Sequence, residues 1–327
     1  ILSLAPLEHG HSKTQVDAFY PSSLAQASAL IRVGRPAPAL ELLGGLTTPT
    51  QELADVTALL KARAYYLMGE YRNCLDHLRE IDETALAEPV NLLALRAEVR
   101  LQDPARIMRA AQRVLAVPHA SSRTRDVGTL YLGKAESRGT LHSQTEGRKR
   151  LWRLNEESGA RSIRASALGI LAEIGDRDAL RMLLIDHPAS STARLFKDQL
   201  HTLNLSTTER LRRGRRLFDL RAYALAEEVF TPLTGPEYPS DVRQEAYLKL
   251  TILLMRQRAR YPEALTFAER TIAGSDDKMS SEGIFRKGLI LGHLHQFSQA
   301  SETMKSYLKR APRGRFAHSA GYQVGRL

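Results

Sequence analysis

Cysteine is almost missing from this chain: Cys74 is the only one in 327 residues. That excludes a disulfide framework and a cysteine-built metal cluster. Aromatic residues are scarce at 6%, with Trp152 the single tryptophan, which leaves little material for the stacking platforms of single-strand nucleic-acid binders. No apolar run reaches the roughly 20 residues that a membrane-crossing helix needs. Stretches rich in Val, Ile and Thr with two-residue alternation are also lacking, so no sheet is expected. There is no G-x-x-x-x-G-K-[ST] loop, no H-E-x-x-H pair and no G-x-S-x-G elbow, which removes P-loop, zincin and serine-elbow chemistry. Gly34–Gly45 has no strand before it and is no dinucleotide fingerprint. No cofactor is expected. His9 and His11, and likewise His293 and His295, are two residues apart and cannot share one helix face, so no metal site is expected either.

What is present is alanine, leucine and arginine, the material of helices. Lys and Arg number 47 against 36 Asp and Glu, a net charge of +11, with a pI near 9.9. The densest cluster is Arg210, Arg212, Arg213, Arg215 and Arg216. Such a balance suits polyanions: nucleic acid, an anionic membrane face, or a carboxylate-bearing cell-wall polymer. Charge alone does not choose among them, and a solvated helix face is the plain alternative.

One phrase recurs along the chain. Gly288 is followed nine residues later by Phe297, then by Ala300 and Met304. Ala62 precedes Tyr71, Cys74 and Leu78 in the same way, and Gly214 precedes Tyr223, Ala226 and Phe230. A looser copy has Ile252 before Tyr261, Ala264 and Ala268. Others have Ala27 before Pro36, Ala39 and Leu43, and Leu95 before Pro104, Ile107 and Ala111. Successive anchors are 35 (36 to 71), 33 (71 to 104), 38 (223 to 261) and 36 (261 to 297) residues apart. A small residue on one helix that meets a ring at the head of the next describes a helical hairpin. A period near 34 is the tetratricopeptide signature. The expected fold is therefore all-α, an α-solenoid or superhelix of tetratricopeptide-like hairpins. Cys74 occupies a slot that other repeats give to Ala and reads as a small buried hydrophobe. All these anchors are packing residues.

In chain order, residues 1–20 read as a flexible leader and residues 21–137 as N-terminal helical repeats. Thr48-Pro49-Thr50-Gln51 reads as a capping box with Pro at the first helical position. Residues 138–205 fit the period poorly and read as an irregular helical middle, with Trp152 on a mixed face. Residues 206–327 return to register, opened by the capping box Ser206-Thr207-Thr208-Glu209. Phe316, Ala320, Gly321 and Val324 repeat a first-helix pattern, and the chain stops before its partner. A piece of a longer protein, truncated mid-repeat, is expected.

The second half, about 206–327, resembles the superhelical region of bacterial soluble lytic transglycosylases. The likeness rests on Leu205-Ser206-Thr207-Thr208-Glu209-Arg210-Leu211-Arg212-Arg213-Gly214 with Leu220-Arg221-Ala222-Tyr223-Ala224-Leu225-Ala226, and on Ala320-Gly321-Tyr322-Gln323-Val324-Gly325-Arg326-Leu327. It implies a periplasmic scaffold that precedes a lysozyme-like catalytic domain acting on peptidoglycan. That domain's Glu-Ser motif has one near match, Glu157-Ser158, followed by Gly159-Ala160-Arg161-Ser162. The aromatic, the Pro and the Gln-bearing run are absent, so no catalytic residue is expected in this segment. Arg212, Arg213, Arg215, Arg216, Arg256, Arg258, Arg286 and Lys287 lie on or beside first helices. They are the expected contacts for carboxylate-bearing glycan strands or acidic peptides, since the arginine fork grips carboxylates with two bonds. Two readings stand open. One is a non-catalytic scaffold that positions a peptidoglycan strand. The other is a tetratricopeptide adaptor that holds a protein partner in its concave groove, periplasmic or cytoplasmic. Nucleic acid is the least supported partner, and no membrane span is expected.

Overall fold

The structure, a computed structural model, describes residues 22–46, 50–82, 84–257 and 260–326. The leader expected over 1–20 lies outside the described residues. Among the described residues every regular element is a helix, as the composition requires. No described helix is long and apolar enough to cross a membrane. The chain divides into two compact units, residues 1–167 and 168–327.

In the first unit α1 (Ser22–Arg32) pairs with α2 (Pro36–Gly44), and α3 (Gln51–Met68) with α4 (Tyr71–Arg79). Next come α5 (Ala87–Leu101) with α6 (Pro104–Ala116), and α7 (Ser122–Glu136) with α8 (Leu141–Glu157). Helix α9 (Arg161–Glu173) begins in this unit and ends in the second. The second unit continues with α10 (Arg177–Asp186), the short α11 (Ser191–Leu195) and a 3-10 stretch at Lys197–Leu203. Three further hairpins follow: α12 (Thr207–Asp219) with α13 (Tyr223–Phe230), α14 (Ser240–Arg256) with α15 (Tyr261–Ile272), and α16 (Asp277–His293) with α17 (Phe297–Arg310). Helix α18 (Ala317–Arg326) packs on α17. Within the stretch 138–205, α8 is a full partner to α7, and the regular α-helices give way to the short α11 and the 3-10 stretch after α10.

Helix starts are set by local chemistry. Ser206 and Glu209 form the reciprocal box that the sequence implies, and each satisfies an amide the other would leave bare. At α3 the outcome differs. The helix begins at Gln51 and Thr50 is its cap, accepting from the Leu53 amide at 3.3 Å; Thr48 and Pro49 lie outside the described residues. Asp103 caps α6 ahead of Pro104, whose missing N–H costs nothing there.

Five of the turns share a device that the sequence conceals. Gly34, Gly69, Gly175, Arg221 and His295 all have positive φ, between 58° and 87°. Each sits two residues before the next helix. In every case the residue after it donates its amide back five positions: Arg35 to Leu30, Glu70 to Tyr65, Asp176 to Leu171, Ala222 to Leu217 and Gln296 to Leu291, at 2.9–3.0 Å. This is the Schellman closure, which ends one helix and reverses the chain in a single step. Glycine fills the left-handed position freely; Arg221 and His295 do so at a steric cost.

Packing corrects one expectation. The small residues Gly214 and Gly288 make their nearest approach not to the ring at the head of the second helix but to a residue two turns further on. A Cβ on Gly288 would lie 2.7 Å from Cε of Met304, and one on Gly214 would lie 2.9 Å from the Phe230 ring. The reason is reflection about the turn: in an antiparallel pair, a residue about eight before the middle of the turn is level with one the same distance beyond it. The rings sit at the mouth instead. Tyr71 meets Tyr66 edge-on, Tyr223 meets Phe218, and Phe297 meets His295, with Phe297 left 48% exposed.

First helices are buried on two sides. Leu60 and Ala64 of α3 join Leu24, Ala27, Ile31, Ala39 and Leu43 of the preceding hairpin. Leu59 and Ala62 of the same helix join Cys74, Leu75 and Leu78 of their own partner and Leu93, Ala94 and Ala97 of the next hairpin. Each fully buried leucine contributes about 1.5–3 kcal/mol, and no hairpin holds its core alone. Cys74 is fully buried here, and desolvation pushes its thiol up to about 12, so it is the apolar filler the sequence suggests.

The two glycine contacts separate into a rigid case and a soft one. We expect Gly214→Ala to destabilise the protein by about 1–3 kcal/mol, because the Phe230 ring cannot yield. Gly288→Ala is expected to be close to neutral: Met304 has three rotatable bonds, and the helix gains about 1 kcal/mol from alanine. Urea unfolding of both variants checks the order.

Candidate functional site

The expected contact residues of the second unit are largely engaged within the fold. Arg212 of α12 reaches the Asp186 carboxylate of α10 at 2.7 Å, with Arg216 at 3.9 Å from the same group. Arg213 donates to the Leu184 carbonyl, and burial draws its guanidinium below the ordinary range. Arg215 grips Glu245 of α14 with two bonds, one of 2.6 Å. Lys287 of α16 reaches Glu269 of α15 at 2.8 Å. Arg286 pairs with Glu282 at 2.7 Å and lies over the Phe316 ring, 5.1 Å from its centre. Arg256 is exposed at the end of α14 and has no ion pair among the described residues. Arg258 lies outside the described residues. Six of the eight cations therefore bind acceptors of their own chain, chiefly as cross-links from one helix to the next.

Arginines without such acceptors also stand together in the first unit. Arg63 on α3 and Arg96 on α5 stand one residue after the slots held by Ala62 and Leu95 and are each half-buried. Burial first, and then the neighbouring Arg96 charge, lowers Arg63 from its ordinary value. Arg96 is lowered mainly by burial; Tyr66 and Tyr131 oppose that and Arg123 of α7 adds to it. Arg100 is raised by its hydrogen bond to the Tyr66 side chain, and burial with the nearby Tyr66 raises Tyr131. Four arginines and two phenols thus converge on three successive first helices. No carboxylate among the described residues pairs with Arg63, Arg96, Arg100 or Arg123. Arg63 and Arg96 are half-removed from water and Arg100 and Arg123 are exposed beside them; like charges so placed, with no acid between them, favour an anionic guest. Sequence reasoning looked to the densest arginine run and passed over this face. The available signal was phase: Arg63 and Arg96 are 33 residues apart, one full repeat.

The remaining sequence candidates sit in packing and turn contacts. Glu157 is exposed at the last position of α8. Ser158 is buried; its hydroxyl donates to Asp126 at 2.6 Å and accepts from the Ala160 amide at 3.2 Å. The pair closes a turn. Trp152 is half-buried beside Arg148, Lys149 and Arg153 in a shallow depression on α8. His293 stacks on Tyr261 at 4.7 Å, and His295 occupies the left-handed turn position. Among the described residues no group of three His, Cys, Asp or Glu is arranged to hold a metal ion. His9 and His11 lie outside the described residues.

No protein-family model matches the chain, and no curated protein matches it either.

Glu209 gives the second unit a titration signature. Its bond with Arg181, and then the Ser206 backbone amide, hold its carboxyl down at about 2. A depressed carboxyl contributes stability that is fully present above the ordinary glutamate range and is lost as pH falls from about 4.5 toward 2. In Glu209→Gln the acid limb of a melting-temperature profile is expected to flatten over that window. An unchanged limb would remove this ion pair from the account.

Proposed function

We propose that this chain is a non-catalytic helical-repeat scaffold that holds an extended, carboxylate-bearing ligand along the first helices of its N-terminal unit. The observation that carries the reading is the set Arg63, Arg96, Arg100 and Arg123, spread over three repeats and lacking any acid partner among the described residues. Successive first helices present such residues at regular intervals, which suits a long ligand and not a compact one. Guanidinium forks grip carboxylates in pairs, and Tyr66 and Tyr131 add donors between them.

The resemblance of residues 206–327 extends this reading to a peptidoglycan strand, held by the tetratricopeptide-like region of a periplasmic lytic-transglycosylase-like protein for a catalytic domain outside this chain. An acidic protein segment is the other ligand of the same chemistry and corresponds to an adaptor.

Co-sedimentation with insoluble peptidoglycan at low salt separates them. Wild-type protein is expected to pellet and to be released as salt rises, because partly exposed charges are screened. The double variant Arg63→Ala/Arg96→Ala is expected to lose about tenfold or more in affinity, given about 1.5–3 kcal/mol for a charged hydrogen bond. Wild type that stays in the supernatant at low salt ends the peptidoglycan reading. Binding of a polyglutamate peptide that the same double variant abolishes would assign the face to an acidic protein partner.

A further inference from the structure

A second site lies among α4, α5 and α6. A groove of about 450 Å³ opens between the second helices α4 and α6, with α5 as its floor. Glu98 belongs to that floor. It is only 6% exposed, and its Oε2 has no hydrogen-bond partner. A buried carboxylate oxygen without a donor is unfavourable by itself and marks a place where something else donates. Asn91 lies on the same floor, its amide nitrogen occupied by the Ala87 carbonyl at 2.8 Å.

The wall of the groove has the opposite character. Arg79, Arg106, Arg109 and Arg113 line it, and all four are exposed. Arg79 and Arg106 pair with Asp76 and Asp103 three residues earlier on their own helices. Arg109 and Arg113 make no ion pair among the described residues. A neighbouring depression of about 380 Å³, lined by Arg72, Asp76 and Asp103, shares Leu75, Arg79 and Arg106 with the first. The two together form an elongated channel rather than a closed cavity.

We propose that this channel binds an acidic peptide segment carrying one lysine. The ammonium enters to Glu98 and the flanking carboxylates lie on Arg109 and Arg113. An ammonium offers three donors and the charge that Glu98 lacks, on a stem long enough to reach a floor. Leu75, Leu78, Ile81 and Val90 line the approach, which suits the lysine methylenes. A purely anionic ligand satisfies the wall and leaves Glu98 bare; a purely cationic one meets four arginines. Only mixed charge in this order fits both. A volume near 450 Å³ lies within the range of ligand pockets.

The site is separate from the first-helix face, so its test is independent of that proposal. Two peptides serve as probes, acetyl-Glu-Glu-Lys-Glu-Glu-amide and the same sequence with norleucine replacing lysine, titrated into the full chain by calorimetry. Wild type is expected to bind the lysine peptide about tenfold more tightly. Glu98→Gln, which keeps the shape of the side chain, is expected to make the two equal. Arg109→Ala/Arg113→Ala is expected to weaken both about tenfold while the ratio persists. Arg63→Ala/Arg96→Ala is expected to leave the ratio untouched even where it abolishes binding to peptidoglycan. Equal affinities in wild type, no binding of either peptide at millimolar concentration, or a ratio that survives Glu98→Gln would each overturn the proposal.

Discussion

The structure depends on each first helix being greasy on two sides. Helix α3 shows why. Leu60 and Ala64 close the core of the hairpin before it, while Leu59 and Ala62 close its own and reach the one after. Neither core is complete if α3 is removed, so stability is shared between neighbours and not owned by a hairpin. The same logic in the second unit puts Leu253 of α14 with α12 and α13, and Leu254 with α15 and α16. Adjacent residues on one helix thus serve different cores, which a single amphipathic stripe could not do.

Polar chemistry follows that scaffold instead of competing with it. Gln244 is fully enclosed, yet its amide accepts from the Asp276 amide at 2.9 Å and donates to the Thr271 carbonyl at 3.0 Å, so α14 fixes the connection that leads into α16. Glu88 does similar work from α5, accepting the Ser121 and Thr124 hydroxyls at the start of α7. Arginines repeat the pattern at the surface of the second unit, through Asp186 and Glu245. The basic excess is therefore of two kinds. Some arginines tie helices together, through Asp186 and Glu245 in the second unit and from Arg150 to Glu136 in the first; others, Arg63, Arg96, Arg100, Arg123, Arg109 and Arg113, have no ion pair among the described residues. Net charge does not distinguish these roles, whereas acid partners do.

The helices and their pairing were legible because side-chain volume repeats near every 34 residues. Small residues at Ala62, Gly214 and Gly288 marked real close approaches. Their partners were misplaced, since linear spacing suggests the ring nine residues on, and antiparallel reflection selects Phe230 and Met304. The turn was hidden for another reason. Its left-handed position is Gly at 34, 69 and 175 but Arg at 221 and His at 295, so conformation repeats where residue identity does not. The availability of the arginines was the least legible part. Arginine density pointed to residues 210–216, yet whether a guanidinium is available depends on a carboxylate some 26–30 residues away, as Asp186 and Glu245 show. Glu98 looked like any helical glutamate; only the packing of α4 and α6 around it removes it from water.

The lone thiol, in the second hairpin, has an experimental consequence. At zero exposure and with its proton held tightly, Cys74 does not meet a disulfide reagent while α3, α4 and α5 stay closed. Labelling must wait for that part of the chain to open. The rate of modification under native conditions is therefore a built-in clock for local unfolding, measurable without introducing a single foreign residue.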